Sequence, residues 1–276
     1  MNNNVLVITG MHRSGTSLIT QWLHKCGLHL GEQFLGAGIG NTDGHFEDLD
    51  FVTAHQQILL ALFDSGDGTI DTPICDISAA QQQSLHTLVQ KKQQAQTQWG
   101  WKDPRTCLFL RTYREFLPNA KYLVILRDYR SVVSSLVSRH HKKTDLKYAA
   151  KGGIRQFIWK YFKRDLRKKK LLQAYSEAYL KTWILYNKEI HQHLLLQPEG
   201  TYLVVDQTRL SATNQEIFDH LTKEWQLDLN YHDFAKVYKE KLLSEVWDVA
   251  AYVKDKSLLA EAEALQAKLL LHSLLK

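Results

Sequence analysis

The sequence predicts an α/β fold of three layers, with a central parallel sheet, helices on both faces and additional helices beyond it. Three observations predict this. Residues 5–8, 121–126 and 201–206 are short runs rich in Val, Leu, Ile and Tyr, of strand length. Segments of helical period separate them, which is the alternation of a parallel sheet. The first run leads into a loop bounded by Gly10 and Gly15, and Leu18, Ile19, Trp22 and Leu23 then recur at helical spacing. Strand, glycine-bounded loop and helix form the layout that cradles a phosphate on backbone N–H groups.

The elements follow in order. A strand over 5–9 leads into a helix over about 14–26, stopped by Gly27. Residues 31–50 are Gly-rich and polar and read as a functional loop. A helix is expected over about 50–63, a loop over 64–78 and a Gln-rich helix over 78–97. Trp99-Gly-Trp-Lys102 is a short strand ending at Asp103-Pro104. A helix over about 106–116 stops at Leu117-Pro118, and the strand over 121–126 gives way to a helix from about Ser131. A long helix is expected over about 171–195, a strand over 201–206, a helix over about 211–225 and a Leu-rich helix from about 256. Ligands of such sheets sit beyond the carboxyl ends of the strands. Residues 14–17, 102–105 and 127–130 all fall at such ends.

The 276 residues suffice for one domain spanning 1–276, and four prolines with no low-complexity linker mark no second one. Hydrophobic content of 44% and charged content of 23% are those of a globular chain. The three cysteines, Cys26, Cys75 and Cys107, have no paired spacing, so neither a disulfide framework nor a zinc site is expected. The N-terminus lacks a basic stretch before its apolar run, and no run approaches the roughly 18 apolar residues of a spanning helix. These features predict a cytoplasmic protein without a membrane anchor. The net charge of +6 is uneven: residues 139–170 hold 13 Lys/Arg against 2 Asp/Glu, and the remainder holds 22 against 27. One basic helical insertion therefore sets the sign, which excludes a generally basic nucleic-acid binder.

The spacing Gly10-x4-Gly15 is that of a P-loop, yet Thr16 stands where a lysine would reach the outer phosphates of a nucleoside triphosphate. The loop is thus expected to hold an anion other than ordinary ATP. Two further strand-end motifs accompany it, Trp101-Lys-Asp-Pro-Arg105 and Leu126-Arg-Asp-Tyr-Arg-Ser-Val-Val-Ser-Ser135. Together with His12-Arg-Ser-Gly-Thr-Ser17 they resemble the P-loop sulfotransferases that use 3′-phosphoadenosine 5′-phosphosulfate (PAPS), particularly the bacterial type.

The resemblance covers residues 5–140 in order and continues weakly beyond. It implies that Arg13, Ser14, Gly15, Thr16 and Ser17 hold the 5′-phosphosulfate, with Arg13 where many members have Lys. It implies that Arg127 and Ser135 hold the 3′-phosphate; eight residues apart, the first leaves the sheet and the second lies about two helical turns on. An alternative for Arg127 is a surface salt bridge, for example to Asp128. The resemblance implies no metal. Arg13 and Lys102 are expected to stabilise charge on the sulfuryl group. The histidine base of cytosolic members is replaced here by Asp103-Pro104-Arg105, in which Asp103 and Arg105 are expected to form an internal pair. The base is therefore sought in Asn41-Thr-Asp-Gly-His-Phe-Glu-Asp48: Glu47 first, with a pKa raised by burial, and His45 second. Alternatively, Glu47 is an acid favoured at a helix N-terminus.

Residues 151–170 place Ile154, Phe157, Ile158, Tyr161, Phe162 and Leu166 on one helical stripe. Two readings stay open: a helix docked on the core with charge for solubility, or a rim that attracts an anionic acceptor or a lipid surface, giving peripheral membrane contact. Arg139, His140 and His141 are candidates to add cofactor affinity. Trp159, Tyr161 and Trp183 are either sugar-stacking or core aromatics. The leading expectation is a transferase moving a sulfuryl group from PAPS to a hydroxyl of a small molecule or glycan and releasing adenosine 3′,5′-bisphosphate (PAP). The alternatives are a P-loop kinase and a non-catalytic PAP-binding protein.

Overall fold

A computed structural model describes residues 3–36, 44–238 and 245–273. Four strands, β1 (Asn4–Thr9), β2 (Gln98–Lys102), β3 (Lys121–Leu126) and β4 (Tyr202–Asp206), form a parallel sheet in the order β2-β1-β3-β4. The helices are α1 (Thr16–Lys25), α2 (Leu49–Phe63), α3 (Ala79–Ala95), α4 (Leu110–Phe116), α5 (Tyr129–Ala149), α6 (Gly153–Ile158), α7 (Arg164–Leu195), α8 (Leu210–Asp219) and α9 (Lys256–Leu271).

The strands read as continuous apolar runs because both faces of the sheet are covered. Side chains still alternate. Val5 and Val7 of β1, with Tyr122 and Val124 of β3, face a core built with α2, α4, α5, α7 and α9. Leu6, Ile8, Leu123 and Ile125 face a second core with α1 and α8. The buried residues of the opposing elements follow the same split, Ile19 and Leu23 on one side, Trp183 and Ile190 on the other. Among the described residues no helix is long and apolar enough to cross a membrane.

Two boundaries differ from the sequence expectation. The helix expected from Thr106 begins as a tight 3-10 turn, Pro104–Phe109, because Asp103 caps it by accepting from Arg105 N and Pro104 fits its first position. The long helix begins at Arg164 rather than near 171. It continues α6 through one wider π-type turn, Trp159–Lys163. Its Lys- and Arg-rich first turns are good helix formers, and no cap residue interrupts them.

The sheet order places β2 and β3 on opposite sides of β1, so the chain crosses over at the carboxyl ends of β1 and β3. That crossover opens a crevice between the loops leaving these strands.

Candidate active site

The loop after β1 is shaped by close backbone approach. Gly10 has φ +151°, and a Cβ there would lie 2.4 Å from the carbonyl oxygen of Ile125 in β3. Gly15 has φ +90° and would press a Cβ to 2.8 Å from Cγ of Gln207. Arg13 between them is a non-glycine at φ 69°. Such a conformation is costly and persists where the surroundings hold it. Here Arg13 is held from two sides: Arg127 Nη1 donates to its carbonyl oxygen (2.9 Å), and its own Nε donates to Ser135 Oγ (3.0 Å). The loop then opens α1 at Thr16. No acidic residue occupies the first turn, so no carboxylate of that turn answers the positive end of the helix.

Arg13, Arg127 and Ser135 therefore meet at the ends of β1 and β3. The charges of Arg139 and Arg127, together with burial, push the Arg13 guanidinium down to about 10, burial being the largest cause. Asp128, the partner imagined for Arg127, is committed elsewhere: it caps α5 by accepting from Ser131 N at 2.9 Å.

On the β2 side, Lys102 is 1% exposed. Its ammonium donates to Glu47 Oε1 (2.7 Å), to Ser17 Oγ (3.2 Å) and to the carbonyl oxygen of His45. An ammonium has three N–H donors, so all are engaged. Burial raises the Glu47 pKa, with Lys102 pulling it back, and burial lowers that of Lys102, opposed by Glu47. His45 is pushed down to about 4 by burial first and then by Lys102, Arg139 and Arg13. Its Nδ1 lies 3.8 Å from Glu47 Oε1.

Local structure explains why Glu47 is the acid left over. Residues 44–48 are tied to 33–35 by backbone hydrogen bonds from Leu35 N to Glu47 O and from His45 N to Leu35 O. Phe46, at φ 51°, packs its ring on Phe34. Asp48 rather than Glu47 caps α2, accepting from Asp50 N, and Lys92 bridges Asp48 (2.6 Å) and Asp50 (2.8 Å). Asn41, Thr42 and Asp43 of the same sequence motif lie outside the described residues.

Asp103 and Arg105 form the internal pair that the sequence suggests. Arg105 Nε donates to Asp103 Oδ1 at 3.0 Å, and Nη1 reaches Gly66 O. Two members of this network escape sequence reasoning. His55 Nδ1 lies 2.8 Å from Asp103 Oδ2, and His55 Nε2 lies 2.7 Å from the Tyr113 hydroxyl. Burial favours the neutral carboxyl of Asp103, but the bond to His55 and the charge of Arg105 outweigh it and hold the group ionised. This buried chain fixes the turn after β2 and so the position of Lys102. His12, beside the Tyr186 ring at 5.7 Å, is driven to about 4 by burial first and then by Arg105.

Arg139 joins the Arg13 end of the site. His140 instead stacks on Tyr175 at 4.7 Å and bonds the Tyr179 hydroxyl. His141 turns toward Asp145 at 3.2 Å. Trp183 and Trp159 are buried, whereas Tyr161 is exposed.

This geometry defines a class first: a parallel α/β protein that gathers cations and a buried carboxylate over the carboxyl ends of adjacent strands. The family follows from a model described as "Sulfotransferase family", which matches residues 6–178. The chain belongs to the sulfotransferase family and is by that membership a transferase. A Caenorhabditis elegans protein called "Putative protein-tyrosine sulfotransferase" is 50% identical over 38 residues; the match spans 14% of this chain and 15% of that protein. Among solved structures, the chain is similar to a sulfotransferase domain from the curacin biosynthetic pathway, at 14% identity and TM-score 0.48, over 97% of both chains. It is also similar to a Mycobacterium tuberculosis sulfotransferase, at 12% identity and TM-score 0.46, over 98% of this chain and 77% of that one.

Proposed function

We propose that this sulfotransferase takes its sulfuryl group from PAPS and delivers it to a hydroxyl of a small molecule or glycan. One observation carries the reading: cations meet the glycine-bounded loop from two sides. Arg13 of the loop joins Arg127 and Ser135 on one side, and Lys102 reaches Ser17 and Glu47 on the other.

The donor set suits a nucleotide phosphorylated at both the 5′ and 3′ positions. Arg13 and Arg127 are partly buried, Arg139 adds its exposed charge beside Arg13, and none of the three forms an ion pair among the described residues, so this charge calls for an anion. The backbone N–H groups at the start of α1, with the Thr16 and Ser17 hydroxyls, would hold the 5′ end. Arg127 and Ser135, helped by Arg139, would hold the 3′-phosphate. When bound, PAPS supplies the S–O bond that is broken, with PAP as the leaving product.

Glu47 is the base in this reading, and the pKa directions favour it over His45. A base pushed down to about 4 accepts a proton poorly, whereas burial makes the Glu47 carboxylate a stronger acceptor than an exposed one. Glu47 takes the proton of the acceptor hydroxyl. Lys102 stays beside it as a fixed positive charge for the transferring group. Since its three donors are occupied, it must release Ser17 or the His45 carbonyl to serve that charge.

The test is thermal unfolding with PAP, followed by transfer of labelled sulfate from PAPS to a panel of hydroxyl acceptors. PAP is expected to raise the Tm of the wild type and not of Arg127→Ala. No shift at saturating PAP, or magnesium-dependent ATP turnover in its place, would overturn the reading.

A further inference from the structure

The apolar stripe of residues 154–166 is the largest departure from what its pattern would suggest. A stripe at this spacing ordinarily marks the face that packs on a core. Here Ile154, Phe157, Ile158, Tyr161, Phe162 and Leu166 are all exposed, from 38% at Ile158 to 75% at Ile154. The reading of this segment as a helix docked on the core is therefore not what the structure shows.

The stripe is carried by a helical hairpin. Helices α5 and α7 pack along each other, and α6, none of whose residues is buried, touches α5 and runs through the Trp159–Lys163 turn into α7. Trp159 is the inward-facing member of the tip. Its ring stacks on Tyr148 at 4.7 Å, and its Nε1 donates to Asp145 at 2.7 Å. Arg164 also bonds Asp145, through Nη2 at 3.1 Å. One of the two acids of the segment is thus consumed inside the hairpin. Lys143, Lys147, Lys151, Arg155, Lys160 and Lys163 are exposed and form no ion pair among the described residues. The tip presents six apolar side chains beside a field of unpaired cations.

We infer that the α5–α7 hairpin tip is a docking surface for an anionic lipid bilayer, with the 154–166 stripe entering the interface and the lysines and arginines meeting the headgroups. The composition is that of an interfacial helix: aromatic and aliphatic residues on one face, basic ones on the others, with stems long enough to reach the headgroup level. Charge excludes the simplest alternative occupant. A second copy would bring another segment of 13 Lys/Arg and 2 Asp/Glu against the first, and like charges oppose such pairing. Ala149 lies 14 residues beyond Ser135 on α5 and His141 Nε2 meets the Arg164 carbonyl oxygen, so the stripe runs beside α5 at roughly 9 to 21 Å along the helix from Ser135. The inference does not depend on the nature of the sulfuryl donor.

The experiment is co-sedimentation of the full chain with vesicles of phosphatidylcholine alone and of phosphatidylcholine mixed with phosphatidylglycerol. The wild type is expected to sediment with the anionic vesicles only, and less as salt is raised. Phe157→Ser/Tyr161→Ser/Phe162→Ser should fall to background. Lys160→Gln/Lys163→Gln should weaken partitioning by about 25-fold, roughly fivefold per basic residue near an anionic surface. All five positions are exposed, so circular dichroism should report unchanged folding, and the lysine pair serves as the test should the triple variant not fold. The inference is overturned if the wild type ignores anionic vesicles, or if both variants bind them as the wild type does. It is equally overturned if sedimentation velocity shows a wild-type dimer that the triple variant dissolves, with no vesicle binding.

Discussion

Lys102 and Lys160 carry the same charge in opposite circumstances. Lys102 is sealed at the end of β2, with every N–H of its ammonium engaged. Lys160 is exposed at the hairpin tip, and its ammonium lies over the Tyr161 ring at 5.4 Å. The comparison extends to the regions around them. Cations at the strand ends are few, distant in sequence and held by backbone carbonyls, two serines and a buried acid. Those at the tip are many and adjacent in sequence, and Lys143, Lys147, Lys151, Arg155, Lys160 and Lys163 form no ion pair among the described residues. Held cations act on a reaction because their charge is already positioned beside it. Exposed ones act on association, through a field that salt can screen. A charge run in a sequence thus marks where a protein meets an anionic partner, and isolated lysines and arginines at strand ends mark where chemistry is expected.

The largest effect should come from breaking the buried pair. Glu47→Gln should lower turnover by about 100- to 10,000-fold, the usual contribution of a positioned base, while PAP binding persists. Lys102→Met should also abolish turnover and, by stranding Glu47, destabilise the fold by about 3–5 kcal/mol. The double variant Glu47→Gln/Lys102→Met should regain most of that stability and none of the activity. Equal Tm values for single and double variants would break the assignment of these two side chains as a coupled pair.

Next in size is the 3′-phosphate end. Removing the Arg127 guanidinium removes a charge-assisted contact of about 1.5–3 kcal/mol, or roughly 10- to 150-fold in PAP affinity by calorimetry. Loss confined to turnover, with PAP affinity intact, would move Arg127 out of the proposed donor site.

A smaller effect concerns pH. The folded-state pKa of Glu47 is raised, so the carboxylate is lost as pH falls through a value above the usual carboxylate range, and activity should fall with it. His45, held at about 4, is neutral across the working range, so His45→Gln should leave that acidic limb where it is. Disappearance of the limb in His45→Gln would reverse the roles. The smallest effect is expected at the tip, where Lys160→Gln/Lys163→Gln should leave turnover on a soluble acceptor unchanged.

Much of the fold was legible because local pattern and tertiary environment agree. The run Lys121–Leu126 reads as a strand from its apolar continuity, and it is one because both faces of the sheet are covered. Gly10 and Gly15 mark the loop because only a residue without a Cβ fits against Ile125 and Gln207. Asp103-Pro104 announces a turn because the acid caps and the proline needs no donor. The site was legible as a list of residues at strand ends. Its connections were not: Arg13 meets Ser135 across 122 positions and Lys102 meets Glu47 across 55. His55 and Tyr113 were missed because an apolar helix face conceals which buried polar groups find one another.

The sequence by itself determined the order of strands and helices, the glycine-bounded loop and the concentration of charge in one segment. These depend on periodicity, steric freedom and composition, which are local. Asp48 suits an N-cap by its short side chain, but only the tertiary structure decided that Glu47 turns to Lys102, 55 positions away. It also decided which apolar stripe would be left uncovered. The stripe of α1 and that of residues 154–166 obey the same spacing, but the first packs under β1 and the second meets solvent at the end of a hairpin. Amphipathic period specifies that a face seeks an apolar partner; which partner is present depends on where the chain carries it.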